Sequence, residues 1–315
     1  MKKLKLVIIG TGKIAHSHMD VIKTFNDCEI CSVYNRTKNK AINFANKYKI
    51  TKVHDSIDKM INEIKPHGVL ILVSFSEIYK VTRKIINYKI PFFLEKPPGL
   101  NLSQYKKLNF LCNKNKVNNI VGFNRRFYSI FLNGLKQLSS HGKIISFSIY
   151  GMERAWLHKH DKNFIKNLIF ANAIHTIDLI SYFGGEKQSF KLIKNNINKK
   201  KYINTILNIK FKNGIIGSYN INTTSPFYWS LKIFAQNASL IFNNFEEGYI
   251  LDKNFKQTKI LPDKLDKLYK PGFYRQFKVY RKLLLKNKID PSAVDIKKCS
   301  QTINFAEKLN NIYLS

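Results

Sequence analysis

The stretch KLKLVIIGTGKIAHSHM, residues 3–19, decides how the chain is read. Its first half is apolar enough for a strand buried on both faces. The second half turns on Gly10 and Gly12 and opens a segment, running to about residue 25, that offers Ile14, Val21, Ile22 and Phe25 at helical spacing for one face. Gly10, Gly12 and Ala15 fit G-x-G-x-x-A between a strand and a helix, the arrangement in which backbone amides meet a dinucleotide's pyrophosphate. Gly10 permits the tight turn, Gly12 lets the backbone approach the phosphates, and Ala15 allows close helix packing. The helix N-terminus favours the negative charge. Thr11, Lys13 and Ile14 complete the set of cofactor-binding candidates in this turn.

Outward from this turn, strand-like and helix-like stretches alternate. CEICSVYN (28–35) reads as a second strand and AINFANKY (41–48) as a helix. GVLILVS (68–74) is a third strand, followed by a helix near 78–88 and a strand at IPFFLE (90–95). That alternation predicts an α/β fold, a doubly wound parallel Rossmann sheet over residues 1–122. At the end of the second strand, where an acidic residue ordinarily holds the ribose of NAD, stand Asn35, Arg36 and Thr37. No carboxylate repels a 2′-phosphate there, and a guanidinium can grip one. NADP(H) is therefore favoured over NAD(H).

The 315 residues suffice for two domains, and 44% hydrophobic with 13% aromatic residues excludes a disordered chain. The net charge of +34 comes mostly from lysines spread through every segment, with no basic cluster interleaved with aromatics. Nucleic acid is not the expected partner; attraction of anionic small molecules is. Cys28, Cys31, Cys112 and Cys299 are too scattered for a disulfide scaffold or a zinc site, which points to a reducing, cytoplasmic compartment. No run of 18 apolar residues spans a membrane, and the N-terminus lacks a cleavage site.

From about residue 123 to 315 the pattern changes to long alternating strands. NTILNIKFKNGIIGSYNINT puts Thr205, Leu207, Ile209 and Phe211 on one face and carries the hairpin signal Asn213-Gly214. KIISFSIYG (143–151) and WSLKIFAQNASLIFNN (229–244) repeat the theme. An α+β domain with an open, largely antiparallel sheet is predicted, one face packed on helices and the other free for a second subunit. Arg125 in GFNRRF is a candidate either to hold a substrate hydroxyl, carboxylate or phosphate or to form an interdomain ion pair, and Trp156 and His158 lie where a loop could cover substrate. His158 and His160 lack a third ligand at suitable spacing, so no metal is assigned.

Glu95-Lys96-Pro97-Pro98, the opening glycine turn, VGFNRRF (121–127) and IHTIDLISYFGG (174–185) occur in an order that resembles the glucose-fructose oxidoreductase, inositol dehydrogenase and rhizopine-catabolism (Gfo/Idh/MocA) family. The resemblance implies that Lys96 of Glu-Lys-Pro sits near the nicotinamide and bonds the reacting oxygen, with Glu95 beside the cofactor and Pro97 fixing the backbone, through a cis bond if one forms. Burial would lower the lysine's pKa toward neutrality. It further implies that His175 contacts the substrate hydroxyl and that Asp178, three residues on, orients the imidazole.

Two departures stand out. The D-x-G-x-H pattern of many sugar and cyclitol dehydrogenases reads here Ala171, Asn172, Ala173 before His175, leaving Asn172 as the polar side chain toward substrate. The family's T-P-N-x-x-H becomes Ser74-Phe75-Ser76-Glu77-Ile78-Tyr79, in which Ser74 can still bond cofactor and Ser76 is placed to cap the helix. The resulting expectation is an NAD(P)-dependent oxidoreductase acting on a secondary alcohol or ketone of a sugar, cyclitol or nucleotide sugar, working as a homodimer or homotetramer. A cofactor-retaining redox glycosidase and a non-catalytic NAD(P)-sensing protein are the competing readings.

Overall fold

The computed structural model describes residues 3–194 and 203–315. The chain forms two compact units, one of residues up to Asn124 with Leu268–Lys298 and one of Arg125–Lys267 with Cys299–Ser315.

In the first unit, β1 (Leu4–Ile9) is buried except at Lys5 and takes the centre of a parallel sheet. Around it lie β2 (Cys28–Tyr34), β3 (Lys52–His54), β4 (Gly68–Ile71), β5 (Phe92–Leu94) and β6 (Asn119–Val121), in the order β3-β2-β1-β4-β5-β6. Every pairing is parallel. Crossovers are made by α1 (Lys13–Ile22), α2 (Lys38–Tyr48), α3 (Ile57–Ile64), α4 (Ile78–Ile86) and α5 (Leu102–Asn115). This is the doubly wound order whose reversal beside β1 leaves a crevice for a ligand. The sequence reading found β1, β2, β4 and β5 but not the three-residue strands β3 and β6.

The second unit carries α6 (Ser129–Leu138), β7 (Ile144–Met152), α7 (Lys162–Lys166), α8 (Ile174–Gly184), β8 (Lys187–Lys194), β9 (Asn204–Phe211) and β10 (Ile216–Asn222). These are followed by β11 (Ser230–Ala235), β12 (Ala238–Asn244), β13 (Glu247–Asp252), β14 (Gln257–Ile260), α9 (Lys264–Leu268) and, after α10 (Phe273–Lys286) of the first unit, α11 (Ser300–Leu314). Its sheet runs β14-β13-β12-β11-β7-β10-β9-β8, antiparallel throughout except where β7 and β10 pair in parallel. Thr205, Leu207, Ile209 and Phe211 face inward as their spacing predicts. Helices α6 and α8 cover that face, with the Phe131 ring edge-on to Phe242 at 4.9 Å. Gly184 lets α8 lie against Phe211, whose ring a Cβ would meet at 2.2 Å.

Residues 124–142 are largely helical ahead of β7, and residues 268–298 pack with the first unit. The physical reason is α10: buried Tyr280 donates to the carbonyls of Val69 and Pro91, both at 3.1 Å, and Gly68 leaves room for its hydroxyl. Arg281 then grips Asp27, whose carboxyl it holds below the ordinary range.

Candidate functional site

The glycine turn shows two separate reasons for having no side chain. Gly10 has φ of 98°, and a Cβ there would lie 2.6 Å from the Leu72 carbonyl oxygen, so the fold itself demands glycine. Gly12 has an ordinary φ of −77° and a Cβ on it would meet nothing within 4 Å. That open space is what a phosphate approaching the backbone needs. Helix α1 begins beside it with no side-chain cap and no acidic residue in its first turn, leaving amides and the helix dipole directed at any incoming anion. Ala15 is fully buried and brings α1 down onto the sheet.

A cavity of about 560 Å³ opens past the carboxyl ends of β1, β2 and β4. Of the predicted cofactor residues, Gly10, Thr11, Gly12, Asn35, Arg36, Thr37 and Ser74 line it. Lys13 and Ile14 lie in the first turn of α1 and Glu95 and Lys96 just past β5, outside that lining. Asn35 organises the loop: its Nδ2 donates to Thr11 Oγ1 at 2.5 Å and its Oδ1 accepts from the Thr37 amide at 3.2 Å. The side chain of Arg36 is 81% exposed and its Nη1 stands 3.4 Å from Glu77 Oε1, a long, screened contact that contributes little. Lys40, Lys80 and Lys84, which the sequence reading missed, also line the cavity, opposed there by Asp55 and Glu77. The cationic excess and the bare glycine turn fit a dinucleotide phosphate. Ser76 is corrected: its hydroxyl bonds Ser74 at 3.0 Å and does not cap α4.

Past β5, Glu95 is buried and bonds Nε2 of His18, also buried, at 2.8 Å. The His18 ring meets Phe93 edge-on and packs on Phe273. Neither His18 nor this anchoring of Glu95 was anticipated. The signal was available, because a histidine four residues after Ile14 and three before Val21 falls on the buried helix face and must find a partner. Lys96 follows, half-buried, joined to Pro97 by a cis peptide bond.

In the second unit, a π-helical turn over Ile169–Ala173 leads into α8, which carries His175 and Asp178. The expected orienting bond from Asp178 to His175 is corrected. Asp178 is 1% exposed and forms a bidentate pair with Arg126, Nε at 2.6 Å and Nη2 at 2.7 Å, and it accepts from Thr302 Oγ1 at 3.1 Å. A planar guanidinium takes both carboxylate oxygens. Burial works against charge on Arg126, and Asp178 outweighs it, holding the guanidinium above its usual value. Asn172 donates to a carboxylate that the sequence reading overlooked, Glu153 Oε2 at 2.5 Å. Arg125 is buried, its guanidinium 4.2 Å over the Trp229 ring and 5.0 Å from that of Phe245. Trp156 is exposed in a 3₁₀ turn over Ala155–His158, and the His158 ring packs tilted against Phe164. Among the described residues no three His, Cys, Asp or Glu side chains converge as a metal site, and no helix is long and apolar enough to cross a membrane.

Residues 4–123 match the model of the GFO_IDH_MocA oxidoreductase family, described as an NAD-binding Rossmann fold. The myo-inositol 2-dehydrogenase of Thermotoga maritima is 20% identical over 260 residues, covering 79% of this chain and 78% of its own. The fold resembles an oxidoreductase from Agrobacterium radiobacter solved with NAD+, L-tartaric acid and magnesium, with TM-score 0.83, 14% identity, and 99% and 96% of the two chains covered. It also resembles the UDP-N-acetylglucosamine 3-dehydrogenase GnnA of Acidithiobacillus ferrooxidans, with TM-score 0.79, 14% identity and 100% of both chains covered.

Proposed function

From the match of residues 4–123 to the Gfo/Idh/MocA oxidoreductase family model, we propose that this chain is an oxidoreductase of that family that interconverts a secondary alcohol and a ketone on a sugar, cyclitol or nucleotide-sugar derivative, using NADP(H) in preference to NAD(H). The observation that carries the reading is the glycine turn beside the cationic cavity: Gly12 faces open space, α1 offers uncapped amides, and Arg36 stands where NAD enzymes hold an acid. The nicotinamide supplies hydride transfer when bound. Thr11, Asn35 and Thr37 shape the ribose end, and Ser74 and the amides of the turn hold phosphate.

Lys96 holds the reacting oxygen and takes its proton as an alcohol is oxidised, returning it in the reverse direction. His175 is the second proton-handling residue, and Arg125, Trp156 and Asn172 hold substrate. Asp178 is assigned instead to anchoring α8 through Arg126. Names of relatives support the substrate class, since one acts on myo-inositol and one on UDP-N-acetylglucosamine. Exposed Ile145, Ile193, Ile206 and Ile216 on neighbouring strands β7, β8, β9 and β10 support a homo-oligomer through the outer sheet face. Four free thiols accord with a cytoplasmic location.

The test is fluorescence titration of NADPH and NADH, followed by turnover on a panel of myo-inositol, UDP-N-acetylglucosamine and L-tartrate. Lys96→Ala should retain cofactor affinity and lose roughly 10²–10⁴-fold in kcat. Unchanged turnover would remove Lys96 from the mechanism, and no affinity for either cofactor would end the reading.

A further inference from the structure

The helix that begins at the glycine turn also holds the segment that carries Lys96. Helix α1 starts beside Gly12, and His18, in its second turn, lies about 8 Å along the axis from Lys13. From there Nε2 of His18 donates to Oε1 of Glu95 at 2.8 Å, and His18 is the carboxylate's hydrogen-bond partner among the described residues. Glu95 directly precedes Lys96 in the chain. Its amide donates to the Ile71 carbonyl at 3.0 Å, so its backbone is tied to β4 while its side chain is tied to α1.

The pair is closely enclosed. His18 is 2% exposed, its ring edge-on to Phe93 at 5.1 Å and tilted on Phe273 at 4.7 Å. Glu95 is buried too, and Gly122 lies so near that a Cβ there would stand 3.3 Å from its carboxyl carbon. Two polar side chains taken out of water among aromatic rings gain little stability over apolar residues of the same volume. What they supply is a fixed geometry, because few placements leave no bond unmade. The residue that inherits this geometry is Lys96.

We propose that His18 is a positioning residue: through Glu95 it ties the backbone at Lys96 to α1, so that the helix receiving the cofactor's phosphate at its N-terminus sets the place of the lysine with its second turn. One rigid element then fixes both the anchored end of the cofactor and the amine that meets the reacting oxygen. A misplacement of about 1 Å between such groups costs about a hundredfold in rate. The inference rests on the reading that Lys96 handles the substrate proton and adds what holds that lysine in place.

The experiment compares the full-length wild type with His18→Leu, His18→Gln and the double variant His18→Leu with Glu95→Leu. Readouts are NADPH affinity, melting temperature, kcat and KM on myo-inositol and UDP-N-acetylglucosamine, and the rate at which acetic anhydride acylates Lys96, followed by peptide mass spectrometry with and without saturating NADPH. In the wild type NADPH should shield Lys96. His18→Leu should bind NADPH within about twofold of the wild type, lose the shielding, and fall roughly 10–100-fold in kcat. His18→Gln, whose amide still donates to Glu95, should recover a large part of both. The double variant should melt near the wild type, since no buried carboxylate is left without its donor, yet stay slow and unshielded. A pair serving stability alone would return activity together with the melting temperature.

The proposal is overturned if His18→Leu keeps the wild-type kcat and shielding, or if His18→Gln, folded and binding NADPH, is as slow as His18→Leu. Where His18→Leu does not fold, the double variant carries the test, and its return to wild-type kcat and shielding overturns the proposal. A wild type without turnover in which NADPH still shields Lys96 breaks the oxidoreductase reading alone, and the acylation rates of the variants then decide this one. A wild-type Lys96 that NADPH leaves unshielded ends both.

Discussion

Around the cavity of the first unit the charged side chains stand in water, whereas the Arg126–Asp178 pair of the second unit is buried. Arg36 is 81% exposed, 3.4 Å from Glu77. Arg126 is 15% exposed and doubly bonded to an Asp178 that solvent hardly touches. The difference separates two kinds of work. Exposed cations such as Arg36 make only long, screened contacts, so a polyanion can supply their counter-charge on binding. Buried pairs have already met their desolvation cost during folding, and they fix side chains before any ligand arrives.

The comparison breaks most severely at Arg126. Arg126→Met keeps the side-chain volume but leaves Asp178 buried with Thr302 as its remaining partner. Removing one member of a buried pair costs about 3–5 kcal/mol. Thermal or urea unfolding should therefore show a large loss of stability in the second unit, while NADPH affinity, a property of the cavity at Gly12, stays within about twofold at temperatures where the variant is folded. A loss below about 1 kcal/mol would mean the pair is no more than a surface contact.

The two glycines sharpen the contrast within the first unit. Gly10→Ala places a methyl 2.6 Å from the Leu72 carbonyl at a φ of 98° and should cost about 2–4 kcal/mol in chemical denaturation. Gly12→Val meets open space in the free protein, so stability should fall by about 1 kcal/mol or less, as an N-cap change does. Its effect appears on binding: NADPH affinity should drop roughly tenfold or more, because the valine occupies the phosphate's approach. Equal effects of the two variants on stability would dissolve the distinction.

What the sequence made legible follows the range of the interactions. The turn at Gly10 and Gly12 and its flanking β1 and α1 are local, and so are the alternating faces of β9; the residues that form them are neighbours in the chain. Strands β3 and β6 have three residues each, as β5 does, but lack the longer apolar run IPFFL that marks β5 in the sequence, and are held by the sheet they join. The rest depended on partners far away. His18 meets Glu95 across 77 positions, Arg126 meets Asp178 across 52, and Trp229 meets Glu153 across 76. Glu153 looked like an ordinary charged residue after a strand because nothing near it in sequence needed its carboxylate. Asp178, by contrast, was assigned to His175 on helical spacing alone, and a guanidinium from outside the helix had the stronger claim. Likewise α10 belongs to the first unit through Tyr280 and Arg281, whose targets lie some two hundred residues earlier.

The smallest expected effect tests how the first unit chooses its cofactor. Arg36 makes no strong bond in the free protein, so Arg36→Ala should leave melting unchanged within about 0.5 kcal/mol. The same lack of commitment makes it available to a 2′-phosphate, in competition with Glu77 at 3.4 Å. A charge-assisted bond of an exposed arginine contributes about 1 kcal/mol, a factor of roughly five in affinity. NADPH binding should therefore weaken about fivefold while NADH binding is unaltered, and the preference should shrink as salt rises, since the contact is solvent-exposed. Glu77→Gln should move the ratio the other way, because it releases the guanidinium from its only carboxylate contact among the described residues. If Arg36→Ala weakens both cofactors equally, Arg36 serves the general field of the cavity together with Lys40, Lys80 and Lys84, and the preference for NADP(H) has no residue behind it.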